Sequence, residues 1–157
     1  MRQMARESGM RSLDVRPELS MTVFVDGESL AWTRRTARGF LARARDTHLV
    51  AVSERVTETV QLVVSELVTN ARKYAPGPCL LDLTVTDSTV EISVWDSEPA
   101  LPVAHAPDPA RIGRHGLETV LAVSLRFEVL PDIMGKRVTA AVALADDPAG
   151  GPAGQVA

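Results

Sequence analysis

The chain has 157 residues, 45% of them apolar, 24% charged and 4% aromatic, with a formal net charge of -3. That length supports one domain with a sizeable core. The acidic balance excludes the basic face of a direct nucleic-acid binder, and so few aromatics exclude a stacking platform for single strands. Cys79 is the single cysteine, so no internal disulfide forms, which suits a reducing cytoplasm. One thiol is also no zinc site, and its simplest reading is a small buried residue. No apolar run approaches the ~20 residues of a membrane span, so no membrane association is expected.

Residues 1–17 carry charge without a continuous apolar region, which predicts a flexible N-terminal arm and no signal peptide. Leu19–Val25 is β-branched and weakly alternating, a first strand. Asp26-Gly27 turns the chain into a helix over Ser29–Ala44. Leu30, Thr33, Ala37, Phe40 and Leu41 share one face of it, and Arg34, Arg35, Arg38 and Arg43 share the other. Such an arginine face is either solvated surface or a contact for an acidic partner. A loop over Arg45–Ala51 is expected next, with Ser53 as the N-cap of a second helix.

That second helix, over Thr57–Ala75, is the most informative stretch. Val56, Val60, Val63, Val64, Leu67, Ala71 and Tyr74 recur at helical spacing and form an apolar stripe roughly 100° wide. Glu66, Asn70 and Lys73 line one edge of it, on neighbouring turns, close enough to act on one ligand. A carboxylate, an amide oxygen and an ammonium can activate a hydroxyl, hold a hard cation and meet a phosphate. Pro76-Gly77-Pro78 ends the helix.

Leu80–Thr86 and Val90–Trp95 read as a hairpin turning at Asp87-Ser88. Asp96 stands at the end of the second of these strands. Pro99–Pro109 holds four prolines and is expected to be irregular. A short helix over His115–Leu125 follows, with Gly113 and Gly116 at its entrance, where backbone N–H groups can hold phosphate oxygens. Arg126–Leu130 and Val138–Leu144 are two further strands, joined by a turn at Pro131–Lys136. Residues 146–157, rich in Gly, Pro and Ala, are expected to be a disordered tail, leaving residues 18–145 as the domain. Hairpin-forming strands with helices grouped apart predict an α+β two-layer sandwich, its sheet mixed or antiparallel and its helices on one face.

In this order the features resemble the ATP-binding domain of the GHKL (Bergerat-fold) superfamily, over roughly Leu19 to Leu144. Glu66-Leu67-Val68-Thr69-Asn70-Ala71 resembles the N-box, Val94-Trp95-Asp96 the strand that ends in the adenine-reading aspartate, and Gly113–Val120 the second glycine box. Gly135-Lys136-Arg137-Val138-Thr139-Ala140 resembles the terminal hairpin. Within the superfamily the chain looks most like compact actinobacterial anti-sigma serine/threonine kinases of the RsbW/SpoIIAB type.

The resemblance implies ATP and Mg²⁺ as cofactors, with Asn70 holding the metal and Glu66 acting as general base. Asp96 would read the adenine amino group and Lys73 would meet phosphate. Gly113, Arg114, His115, Gly116 and Leu117 would close on the phosphates, and Lys136 would join from the hairpin. It further implies a cytoplasmic kinase acting on an anti-anti-sigma protein, a sigma factor as a second partner, and a homodimer. The alternative is a catalytically inactive, nucleotide-gated binding module. One departure bears on how the loop shapes the adenine mouth and on ATP affinity: the first glycine box, D-x-G-x-G in the family, reads Asp96-Ser97-Glu98-Pro99-Ala100 here, with both glycine positions replaced.

Overall fold

The computed structural model describes residues 19–48, 50–75, 77–97, 114–132 and 135–145, without the side chains of His48, Tyr74, Arg114 and His115. The N-terminal arm, the Pro-rich segment with Gly113, and the C-terminal tail fall outside those residues. The elements run β1 (Leu19–Val25), α1 (Leu30–His48), α2 (Glu54–Tyr74), β2 (Cys79–Val85), β3 (Thr89–Asp96), α3 (Arg114–Val123), β4 (Arg126–Asp132) and β5 (Gly135–Ala143). The five strands form one sheet in the order β1-β2-β3-β5-β4, and every neighbouring pair is antiparallel. The α+β two-layer sandwich expected from the sequence is the observed architecture, its sheet antiparallel throughout.

Strand alternation decides which face the helices cover. Cys79, Leu81, Leu83 and Val85 of β2 point the same way as Val90, Ile92 and Val94 of β3 and Val138, Ala140 and Val142 of β5, and all are buried. Against that face lies α2, whose Val56, Val60, Val63, Val64, Leu67 and Ala71 are at most 4% exposed. Phe40 and Leu41 bring α1 into the same core, and Val120 brings α3. The apolar stripe read from the sequence is therefore the seam that fixes α2 to the sheet. Ser53 caps α2: its hydroxyl accepts from the Val56 N–H at 3.1 Å.

Most element ends differ from the sequence reading by one to four residues (α2 begins at Glu54 and α3 ends at Val123, for example), and three of the differences have a visible cause. The loop expected at Arg45–Ala51 is helical as far as His48. Ala44 is fully buried and so prolongs the packed face, and the Thr47 hydroxyl donates to the Arg43 carbonyl at 2.6 Å. The turn expected at Pro131–Lys136 is shorter, because the ladder continues through Pro131↔Lys136 to Asp132↔Gly135. β4 is an edge strand, where a proline without an N–H is tolerated. The β2–β3 turn begins at Thr86, whose hydroxyl accepts from the N–H groups of Ser88 and Thr89.

Of the arginines read as one face of α1, Arg35, Arg38 and Arg43 are exposed and Arg34 is half-buried. Arg34 Nη1 donates to the Ser65 hydroxyl at 3.1 Å, and Arg38 makes a two-pronged pair with Glu54 at 2.6 and 3.1 Å. Gln61 bridges both, accepting from Arg38 and donating to the Arg34 carbonyl. Arg34, half-buried, ties α1 to α2, and the Arg38–Glu54 pair spans the two helices at the surface, where Arg35, Arg38 and Arg43 are all exposed.

Candidate functional site

The polar edge of α2 and the far ends of β3 and β5 carry the chemistry. Glu66 and Asn70 lie one helical turn apart, both partly buried, and Lys73 is exposed a turn further on. Leu67, at 2% exposure, anchors the turn they share. The placement follows from the stripe: burying Val63, Leu67 and Ala71 against the sheet leaves positions 66, 70 and 73 along its border.

Glu66 meets the entrance of α3. A Cβ placed on Gly116 would fall on the Glu66 carboxylate, overlapping Oε1 and coming within 2.8 Å of Cδ. Contacts that close mean the helix entrance fits against Glu66 because residue 116 has no side chain. Leu117 beside it is half-buried. Arg114 and His115 open α3, and Gly113 lies outside the described residues. The cleft edge thus joins a carboxylate to the amino end of a helix of ten residues, where unpaired N–H groups and the dipole favour anions.

Asp96 closes β3 with its side chain 1% exposed. The register sets it directly across from Lys136, which belongs to β5 and not to a turn. Lys136 Nζ donates to Asp96 Oδ1 at 3.1 Å and lies 3.0 Å from Oδ2, its own side chain 2% exposed. Gly135 makes this approach possible, since a Cβ there would collide with the Asp96 carbonyl and Ser97 Cα. Both residues point to the helical face, as do their cross-strand neighbours Val94 and Val138.

Cys79, at the start of β2, is buried. Desolvation pushes its thiol pKa up; Arg72 opposes the shift and the charge of Asp96 adds to it. A thiol so disposed is a poor nucleophile, in line with a packing role. Arg72 itself donates to the Glu28 carbonyl, tying α2 to the segment that leads into α1. Neither this tether nor the Asp96–Lys136 pair was read from the sequence. The pair could have been found by continuing the β4–β5 ladder through Pro131; Arg72 offered no signal beyond a cation in the last turn of a helix.

An open cavity of about 710 Å³, lined by Trp95, Leu130, Pro131, Asp132 and Arg137, lies on the opposite face of the sheet. There the Arg137 guanidinium stacks over the Trp95 ring at 5.0 Å. It is separate from the Glu66 and Asp96 groups, because residues 95 and 96 point to opposite faces.

Among the described residues no three His, Cys, Asp or Glu side chains gather as a metal cluster. A metal held here would draw on the Asn70 amide oxygen, with its other ligands from phosphate and water. That donor set suits Mg²⁺. The two glycine contacts are with protein atoms: residue 116 packs on the Glu66 carboxylate and residue 135 on the Asp96 and Ser97 backbone, so both positions need the absence of a side chain for packing.

No curated protein matches the chain. Residues 28–129, well over half the chain, match the model of the histidine kinase-like ATPase domain, a span that takes in α1, α2, β2, β3, α3 and most of β4. With the antiparallel sandwich and the polar edge of α2 in place, the chain belongs to the histidine kinase-like ATPase domain family, a family of ATP-binding, kinase-type regulatory modules.

Proposed function

We propose that this chain is an ATP-binding serine/threonine protein kinase of the anti-sigma factor type, acting on an anti-anti-sigma partner. The observation that carries the reading is the seat of Glu66. A carboxylate capable of accepting a proton is packed against the glycine at the entrance of α3, where phosphate oxygens would be bound. When bound, ATP with Mg²⁺ supplies a transferable phosphoryl group whose charge the metal partly neutralises.

The residues divide the work. Asn70 offers one oxygen to the metal, and Lys73 meets phosphate as a point charge. Backbone N–H groups from Arg114 to Leu117 hold the phosphate oxygens. Glu66 would take the proton from a serine hydroxyl of the partner as that oxygen bonds to the γ-phosphorus and the bond to the β-phosphate oxygen breaks, releasing ADP, and Asp96 would accept from the adenine amino group. A homodimer and a sigma factor as second partner belong to the same proposal, as does a cytoplasmic location. Among the described residues no helix is long and apolar enough to cross a membrane.

A second reading has its own observation. Glu98 and Ala100 stand where the resemblance puts two glycines. That change in the residues next to Asp96 supports a binding module without turnover as the second reading. Glu66→Gln separates the two readings, because it keeps the shape and removes the base. Phosphate transfer from ATP to a serine-bearing partner is expected to fall by about 10²–10⁴-fold while ATP affinity holds. Transfer at the wild-type rate would remove Glu66 as the base. Wild-type protein that binds ATP yet shows neither transfer nor hydrolysis would leave the binding module.

A further inference from the structure

We propose that the sheet face turned away from the helices is a docking strip for an amphipathic helix of a partner protein, one with a carboxylate in its apolar stripe. The strip lies apart from the Glu66 edge, and the inference does not need the nucleotide reading.

The register divides that face into three rows, each crossing all five strands. Two rows pair their polar groups with one another. In the first, Ser20 bonds to Thr84 at 3.2 Å and Arg126 to Glu91 at 2.8 Å. In the second, the Thr22 hydroxyl donates to Asp82 at 2.6 Å and Ser93 bonds to Thr139 at 2.7 Å. The third row is Phe24, Leu80, Trp95, Arg137 and Leu130, with Phe24, Leu80 and Leu130 exposed. Arg137 lies half-buried in it, stacked over the Trp95 ring at the open cavity. Its buried Nε–H has no hydrogen-bond partner among the described residues. Asp132 lines the same cavity, yet no ion pair joins it to Arg137 among the described residues.

Geometry and charge together select the occupant. Five strands spaced by about 4.8 Å span roughly 19 Å, the length of a helix of about 13 residues. The row crosses the strands, so an extended segment laid on it joins no ladder and would bury unpaired backbone groups. A helix satisfies its own backbone, as α2 does on the other face. A guanidinium offers only donors, in a fixed fork, so the group it takes is an anion; on a helix of ordinary residues that is Glu or Asp, held by two parallel bonds. A second copy laid row against row would set Arg137 on an apolar residue or another arginine, because the row holds no carboxylate. Burial of Phe24, Leu80 and Leu130 would supply affinity, and Arg137 would supply selection.

The test is a titration of the full, ¹⁵N-labelled chain with two helical peptides of about 16 residues. Both carry leucines at i, i+4 and i+7, and they differ only at i+11, which is Glu in one and Gln in the other. The Glu peptide is expected to shift the Trp95 indole and the amides of Leu80, Arg137 and Leu130. It should bind about tenfold more tightly than the Gln peptide, the gain from a charge-assisted pair over a neutral one. Arg137→Met is expected to bind both peptides alike, at the strength with which the wild-type chain binds the Gln peptide. A merely structural arginine would not produce that convergence. Phe24→Ser, at an exposed position, is expected to weaken both peptides about tenfold.

Equal binding of the two peptides by the wild-type chain would overturn the proposal. So would shifts confined to residues away from the row, or no binding of either peptide at millimolar concentration. A wild-type dimer that Phe24→Ser dissociates in sedimentation would assign the row to a second copy, and would overturn it too. The wild-type comparison and Phe24→Ser decide the matter even if Arg137→Met fails to fold. None of these results depends on whether the chain binds ATP, so the two readings fail separately.

Discussion

At Gly116 the missing side chain is what lets the entrance of α3 pack on Glu66. A methyl group there would occupy the place of the Glu66 carboxylate, so in Gly116→Ala either Glu66 swings out or α3 backs away. Either movement would take Glu66 out of the position in which the proposed function has it act as general base. The expected result is a fall in phosphate transfer of about 10²-fold, the scale of an ångström's misplacement, with little change in stability, because the Glu66 carboxylate is the free end of a flexible side chain and can swing aside. Transfer kinetics and a urea melt on the same variant check both; an unchanged transfer rate would mean that the contact has no part in positioning Glu66. This residue shows how far the sequence reached. Glu66, Asn70 and Gly116 were legible because helical spacing and glycine placement are local signals. That Glu66 and Gly116 touch was not, since their contact depends on how α3 docks on α2. Asp96 was read as a lone acceptor, and its lysine partner lay in a segment taken for a turn.

Among the elements, α2 does two jobs along one axis. Its stripe from Val56 to Ala71 holds the sheet, and its edge carries Glu66, Asn70 and Lys73, so the site is as rigid as the core behind it. The amino-terminal end offers a way to separate stability from chemistry. Ser53→Ala removes the hydroxyl that accepts from Val56 N, roughly three turns from Glu66. It is expected to cost about 1 kcal/mol, seen as a lower urea midpoint at unchanged slope, while ATP affinity stays as in the wild type. A matching loss of affinity would show that the helix end and the site are coupled. The strong 3.6-residue pattern made α2 legible almost to its ends. α1 was placed correctly but stopped a turn early, because nothing in Ala44–His48 marks packing until Ala44 is seen buried against the core. Its arginine face is mostly exposed, as a solvated face would be, but the bonds of Arg34 and Arg38 to Ser65, Glu54 and Gln61 of α2 were not legible, because only the folded pair brings them within reach.

On the scale of the molecule, the sandwich has one covered face and one open one. The open face carries Phe24, Leu80, Trp95, Arg137 and Leu130 in a register row across all five strands. Three of these, Phe24, Leu80 and Leu130, are exposed. The layered α+β class was legible because strands paired as hairpins and helices grouped between them, whereas the strand order, with β5 between β3 and β4, required the tertiary structure. The central claim is that the covered face ends in a site for ATP with Mg²⁺, formed where α2 meets the ends of β3 and β5 and the start of α3. The direct measurement is a calorimetric titration of wild-type protein and Asn70→Ala with ATP, with and without Mg²⁺. The account predicts micromolar, Mg²⁺-dependent binding to the wild-type chain. It predicts binding to Asn70→Ala at least tenfold weaker and nearly indifferent to Mg²⁺, as expected when the metal's one protein oxygen is removed. No binding by the wild-type chain at millimolar ATP, or an affinity that Asn70→Ala leaves unchanged, would contradict it.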